Sequence, residues 1–464
     1  MLLRSAIQGI NGLRYMIEKL EIQSGLAKRV LYDTPYMTSP STISRVLSKI
    51  EIFYFLILTP EYKETLSNLR IKLKHIKDIR GTLSRIKNKT ILDDIELFEV
   101  KVFSLLSQEI REILTDKKIG VLSIPSLEPV INLLDPDKNR IPHFYIYDSY
   151  SAELTQLRKK IKEFKAGNQA DDTKLDELFF QCTEIEDGIR KDLSQKIHEH
   201  YSSIAKALQD VAELDILIAK ARQAAGMQLY KPEIADDCTS YEGIFNPEIK
   251  SVLQTEGKEY QPINISIERG GTLITGANMT GKSVILKTVA LAQALFQFGF
   301  YVPAASAEIV CVEDILLCIG DDQNELSGLS SYAAEMLKVN QIVQKTKTGK
   351  NILVLIDELA RTTNPTEGKA IVNAVLDILT ENNALALLTT HYSIKTECRK
   401  LRVVGFIEDK ADNELTVENI NQYIDYSLVI ESGDMVPHEA LRIARILGVD
   451  LEILKKAEYY LYNK

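Results

Sequence analysis

Gly276-Ala277-Asn278-Met279-Thr280-Gly281-Lys282-Ser283 is a complete G-x-x-x-x-G-K-[ST] segment, and both of its flanks suit it. Before it, Gly271-Thr272-Leu273-Ile274-Thr275 is a short apolar run of the length of a buried strand. After it, the run from Val284 to Ala292 has helical spacing. A strand, a glycine turn and a helix N-terminus hold a polyphosphate through backbone N–H groups and the helix dipole. The residue types then suggest roles. Gly276, Ala277, Asn278, Met279, Thr280 and Gly281 form the loop, Lys282 reaches the β- and γ-phosphates, and Ser283 holds Mg²⁺. The stretch predicts an α/β P-loop domain that binds a nucleoside triphosphate.

Two further apolar runs fit the same domain. Asn351 to Ile356 is a buried-type strand that ends in Asp357-Glu358. A strand end beside a phosphate loop is where magnesium is held, so Asp357 is expected to coordinate it, directly or through water. Glu358 is expected to orient and deprotonate the attacking water. Ala384 to Thr390 is a strand ending in His391, one helix further on, where a sensor of the γ-phosphate would sit. A lone histidine at a strand end is otherwise a structural residue.

Outward from this region the chain changes character near residue 230. Downstream, short β-branched runs alternate with helices. Upstream, glycine and proline are sparse and helical periodicity dominates, with one or two amphipathic helices over 1–30 and a helix start at Ser39-Pro40. The span Leu66 to Lys89 reads as helical and basic. Arg70, Lys72, Lys74, Lys77, Arg80, Arg85, Lys87 and Lys89 oppose a single acid, Asp78. Such a face is either simply solvated or in contact with phosphate backbone or an acidic partner. Residues 152–217 are long, charged and interrupted near 166–172, which predicts an antiparallel helical hairpin with its tip there. A hairpin of this kind serves as a lever arm, as a stalk for a partner, or as ordinary packing.

Composition narrows the classes. The net charge of −9 argues against nonspecific coating of nucleic acid while leaving room for a local basic surface. Cys182, Cys238, Cys311, Cys318 and Cys398 show no C-x-x-C pair and no metal spacing, as expected of reduced thiols in a cytoplasmic protein. The N-terminus lacks the apolar core of a signal peptide, and the most apolar stretch, Ile50 to Thr59, is too short to span a bilayer.

The order of motifs resembles the MutS-type ATPases, relatives of the ABC ATPases. The family's phosphate loop corresponds to 276–283, and its G-x-x-V-P-A segment to Gly299-Phe300-Tyr301-Val302-Pro303-Ala304. Its I-G and S-G-x-S-T-F-x-x-E-M elements correspond to Ile319-Gly320 and Ser327-Gly328-Leu329-Ser330-Ser331-Tyr332-Ala333-Ala334-Glu335-Met336, with Ser331 in place of a usual threonine. Asp357 to Thr363 and Thr390-His391-Tyr392 complete the set. More weakly, Asp78 to Ile86 is similar to a helix of the family's core domain. Residues Ala440 to Gly448 and Leu454 to Ala457 are similar to its C-terminal helix-turn-helix dimer element, although the family's terminal Ser-Tyr-Gly is replaced around Pro437-His438-Glu439.

The resemblance implies an all-helical core and lever domain over 1–229 and an ABC-like ATPase domain over 230–464, with a dimerisation element at about 434–464. It also implies hydrolysis of ATP with Mg²⁺ in a homodimer or a heterodimer with a related subunit. Ser330 of one subunit would contact the γ-phosphate held by Lys282 of the other. Tyr260 and Tyr426 are candidates for stacking on adenine; either is equally a core residue. The family's mismatch-recognition and connector domains, its β-rich DNA clamp and any nuclease domain are expected to be absent. Two loads therefore remain open: DNA, as in mismatch repair, or a protein, as in the reactivating factors of cobalamin-dependent lysine or ornithine aminomutases. An inactive homologue fits poorly, because Lys282, Asp357, Glu358 and His391 are all present.

Overall fold

The computed structural model of the chain describes residues 1–166, 172–277, 280–319, 331–361, 363–392, 394–406, 423–431, 441, 444–445 and 448–462. Asn278, Met279, Gly320, the segment 327–330 with Ser330, Thr362, the hairpin tip at 167–171 and part of the expected dimer element lie outside these residues. The chain forms two compact units. One comprises Met1–Leu20, Thr34–Glu51 and Gln223–Lys464; the other comprises Glu21–Asp33 and Ile52–Arg222. Sequence patterning assigns all of 1–229 to one helical domain, whereas two N-terminal segments group with the strands.

Among its described residues the first unit contains ten strands: β1 (Glu233–Ala235), β2 (Thr239–Ile244), β3 (Ile263–Ile267), β4 (Gly270–Thr275), β5 (Ser306–Val310), β6 (Asp314–Cys318), β7 (Ile352–Ile356), β8 (Leu385–Thr389), β9 (Arg399–Phe406) and β10 (Ile424–Ile430). They form a four-stranded sheet ordered β1-β5-β2-β3 and a six-stranded sheet ordered β10-β9-β4-β8-β7-β6. In the larger sheet β9, β4, β8, β7 and β6 run parallel, and β10 joins the edge antiparallel. Every residue of β4, β7 and β8 is buried, which explains their unbroken apolar runs: a parallel sheet is covered on both faces. On one face Leu273, Val354, Ile356, Ala386 and Leu388 pack against Val339 and Ile342 of the helix Ser331–Thr346 and Val372, Leu376 and Leu379 of the helix Pro365–Glu381.

The helix Lys282–Gln297 is buried almost all round, which a helix apolar on every side requires. The N-terminal segments supply part of that cover. Leu291 lies against Gly12, and Gln297 accepts from the Tyr36 hydroxyl at 2.7 Å while its carbonyl accepts the Met37 N–H at 2.9 Å. Burial drives the Tyr36 hydroxyl far above the usual phenol range. The helix ends in a Schellman motif. Gly299, at φ +67°, lets its own N–H reach the Phe296 carbonyl and the Phe300 N–H reach the Leu295 carbonyl. A Cβ on Gly299 would also meet Val46 at 2.7 Å.

The second unit has no strand among its described residues. The basic span forms two helices, Lys63–Lys74 and Arg80–Lys87, divided where Ile76 and Ile79 turn into the core. Half of its cations pair within the unit: Arg70 with Glu21, Lys72 with Glu109, Arg80 with Asp78 and Arg85 with Glu96. The hairpin arms are Ala152–Ala166 and Asp172–Glu199, and five residues separate them. Lys101 and Asp135 form a fully buried ion pair at 3.0 Å, and Lys101 also donates to the Tyr147 hydroxyl at 2.8 Å. No helix among the described residues is long and apolar enough to cross a membrane.

Candidate functional site

The order of the large sheet builds the site. Strands β4, β8 and β7 are adjacent and parallel, with Ile274 level with Thr389 and Ile356 level with Leu388. Their C-terminal ends therefore bring the phosphate loop, Thr389-Thr390-His391 and Asp357-Glu358 side by side. Parallel α/β sheets bind ligands at that edge.

The loop leaves β4 at Gly276 and enters the helix at Gly281, both at positive φ (+145° and +79°) that other residues adopt at a cost. A Cβ on Gly276 would stand 3.1 Å from the Thr280 hydroxyl and 3.3 Å from Val403. Thr280 donates to the Ala277 carbonyl at 2.7 Å. The buried Lys282 ammonium donates to the carbonyls of Gly276 and Ala277, each at 2.8 Å, so it lies across the mouth of the loop. Ser283 follows, half-buried in the first turn of the helix. Tyr426 packs on Gly281, its ring 3.1 Å from where a Cβ would be. Burial raises its hydroxyl, and Tyr260 adds to that shift. The Tyr260 hydroxyl is engaged by the Asn246 N–H at 3.1 Å.

Asp357 and Glu358 follow β7, and a residue with no assigned role in the sequence holds them both. The fully buried Thr389 hydroxyl donates to Asp357 Oδ1 at 2.6 Å and accepts the Glu358 N–H at 2.8 Å. Its only signal in the sequence is a second threonine before His391. Glu358 has φ +46° and Ala360 φ +60°, so a left-handed turn carries the carboxylate out of the strand. Glu358 Oε2 pairs with Arg361 at 2.9 Å.

His391 stacks at a tilt on Tyr392, ring centres 4.0 Å apart, and stays solvent-accessible on its other side. Packing lowers its pKa below the ordinary imidazole value. The Glu358 carboxylate opposes that shift, and Lys282 and Arg361 reinforce it. Those influences place Lys282, Glu358, Arg361 and His391 in one electrostatic neighbourhood. The structure thus gathers Gly276, Ala277, Thr280, Gly281, Lys282, Ser283, Asp357, Glu358 and His391 at one sheet edge.

Residues 272–463 match the family model described as MutS domain V. The chain is 29% identical over 406 residues to an Endonuclease MutS2 of Caldanaerobacter subterraneus, covering 86% of this chain and 48% of that protein. It is 30% identical over 290 residues to an Endonuclease MutS2 of Agathobacter rectalis, covering 61% of this chain and 34% of that protein. It is 25% identical over 463 residues to the human DNA mismatch repair protein Msh3, covering 94% and 38%. The chain thus spans about half the length, or less, of the curated relatives it matches. Residues 272–463 thus resemble a MutS domain V, with the phosphate-loop and strand-end acidic residues present in the sequence, and the chain as a whole is similar to MutS-family proteins.

Proposed function

We propose that this chain binds and hydrolyses ATP with Mg²⁺ and uses the cycle to drive a conformational change on DNA. The observation that carries the catalytic part is the convergence of Lys282, Asp357, Glu358 and His391 at the ends of three adjacent parallel strands. The glycine cradle at 276 and 281, opening onto a helix N-terminus, suits a triphosphate. Ser283 and Asp357 would hold magnesium, which when bound neutralises phosphate charge and orients the terminal phosphoryl group. Lys282 would exchange its two carbonyl partners for β- and γ-oxygens. Glu358, leaving Arg361, would orient a water and accept its proton. His391, kept neutral by its surroundings, would donate a hydrogen bond toward the γ-phosphate. Ser330 is proposed to complete the site from a second subunit, in a homodimer or a heterodimer with a related chain.

DNA as the load is supported by relatives whose names are mismatch repair protein and endonuclease. Lys74, Lys77, Lys87 and Lys89 are the cations of the basic span with no acidic partner among the described residues, and are the proposed contacts. Only five residues lie between the hairpin arms, too few for a β-rich clamp, so we propose that DNA engagement lacks that grip. No feature of the described residues points to a cobalamin enzyme as client.

Turnover and nucleotide binding by the full chain test the reading. Wild type should release phosphate, K282A should lose nucleotide binding, and E358Q should retain bound ATP unhydrolysed. Equal turnover by wild type and E358Q would remove Glu358 from its role. Duplex or branched DNA should bind with strong salt dependence, and no binding at low salt would remove DNA as the load.

A further inference from the structure

Glu335 and Tyr392 approach the same residue from two different elements. Glu335 Oε1 accepts the Ala360 N–H at 2.9 Å, and the Tyr392 hydroxyl donates to the Ala360 carbonyl at 2.8 Å. Ala360 is fully buried and held at φ +60°, a conformation that a residue with a Cβ keeps only when its surroundings impose it. Two residues earlier stands Glu358, also at positive φ. The turn between them fixes where the Glu358 carboxylate points.

The fit of Tyr392 is itself built. Gly368 lies in the helix Pro365–Glu381, and a Cβ there would meet the tyrosine hydroxyl at 2.7 Å and its ring at 2.8 Å. The ring reaches Ala360 only because that helix position is bare. Tyr392 and Glu335 also feel one another: burial raises the tyrosine hydroxyl, and the glutamate charge adds to the rise. Glu335 lies in the first turn and a half of the helix Ser331–Thr346, just after the segment carrying Ser330.

We propose that Glu335 and Tyr392 are positioning residues that clamp Ala360 and thereby set the Glu358 carboxylate for hydrolysis. This rests on the reading of Glu358 as the hydrolytic base. Both of these bonds go to main-chain groups of Ala360. Each therefore acts on turnover, and nucleotide affinity stays as it is.

The test is turnover and nucleotide affinity of the full chain carrying E335A, E335Q or Y392F, with wild type and E358Q alongside. E335A and Y392F should lower kcat about tenfold or more while leaving the Kd for a fluorescent ATP analogue within about twofold, since a small misplacement of a reacting group acts on rate. E335Q, whose amide oxygen accepts the same N–H, should recover most of the rate. Y392F keeps the ring and its packing, so it reports on the clamp even if E335A folds poorly. Wild-type kcat in both E335A and Y392F, with E358Q inactive, would overturn the clamp and leave the hydrolytic reading intact. Failure of E335Q to recover, or equal losses in Kd and kcat, would overturn it in favour of a purely structural role. An inactive wild type would remove the hydrolytic reading and the clamp with it.

Discussion

Thr389 and Asp357 are joined by a 2.6 Å hydrogen bond in which the threonine hydroxyl donates to Oδ1, and that threonine hydroxyl in turn accepts the N–H of Glu358. One buried hydroxyl on β8 therefore orients the proposed magnesium-side carboxylate and the backbone of the proposed base on β7.

T389V keeps the shape and removes both bonds. It leaves the Glu358 N–H without its acceptor, a loss of about 1–3 kcal/mol where the group is buried. A Mg²⁺ titration of ATP turnover should show a raised metal requirement and a kcat lower by about tenfold or more. T389S should restore both. Unchanged magnesium dependence in T389V would show that Asp357 is held by other means.

Gly299 to alanine strikes the far end of the helix that begins at Lys282. The substitution forces a Cβ into a left-handed position and toward Val46 at 2.7 Å. Together these should cost about 2–4 kcal/mol. Thermal denaturation of the full chain should show a lower midpoint, and ATP should protect the variant less than the wild type.

His391 should titrate below the ordinary imidazole value of about 6.5. Packing causes the shift, Glu358 opposes it, and Lys282 and Arg361 reinforce it. The signs follow for each variant followed by NMR of the histidine ring. E358Q removes an anion and should lower the midpoint further, while R361A removes a cation and should raise it. A midpoint in E358Q above that of wild type would contradict the arrangement. A depressed pKa also means that the neutral ring persists to more acid pH than in a free histidine, so turnover should not fall on its account until pH drops below 6.5.

The Lys101–Asp135 pair invites a double-mutant cycle. Burial alone would raise the Asp135 carboxyl, but the Arg140 N–H and the Lys101 ammonium together hold it below its usual value. K101M strands that carboxylate and should destabilise the helical unit by about 3–5 kcal/mol, whereas K101M with D135L should recover much of the loss. The sign with pH is fixed by the depressed pKa. The pair's contribution is present above the unfolded carboxyl value near 3.9 and is lost as pH falls through the lower folded one. Urea denaturation at pH 7 and pH 3 should therefore separate wild type from K101M strongly at the first and weakly at the second.

Much of the site was legible because its chemistry is local in sequence. Lys282 and Ser283 sit in a contiguous loop, and Asp357-Glu358 and His391 each end an unbroken apolar strand that only a covered parallel sheet accepts. Strand order was not legible, since nothing local says that β9 lies beside β4 rather than at the far edge. Thr389, Glu335 and Gly368 act through partners 31, 25 and 24 positions away, and pattern says nothing of such bonds. The basic span read as one charged helical stretch because charge was counted along the chain, without its division into two helices. In space three of its cations meet acids from elsewhere and a fourth, Arg80, takes the span's own Asp78, while Ile76 and Ile79 break the helix to reach the core.

The bond between Tyr36 and Gln297 spans 261 positions, and that distance is also an interval of time. On the ribosome the N-terminal segments emerge on the order of tens of seconds before the helix they cover, at ordinary rates of synthesis. Until then Met37 and Val46 lack their neighbour Gly299, and Gly12 lacks Leu291. A fragment begun at residue 230 would meet the converse problem, with Leu291 stripped of its contact with Gly12 and Phe298 of its edge contact with the Tyr36 ring. The half of this protein that carries the phosphate loop is thus not a cassette that can be cut out and moved, and the first forty or fifty residues must travel with it.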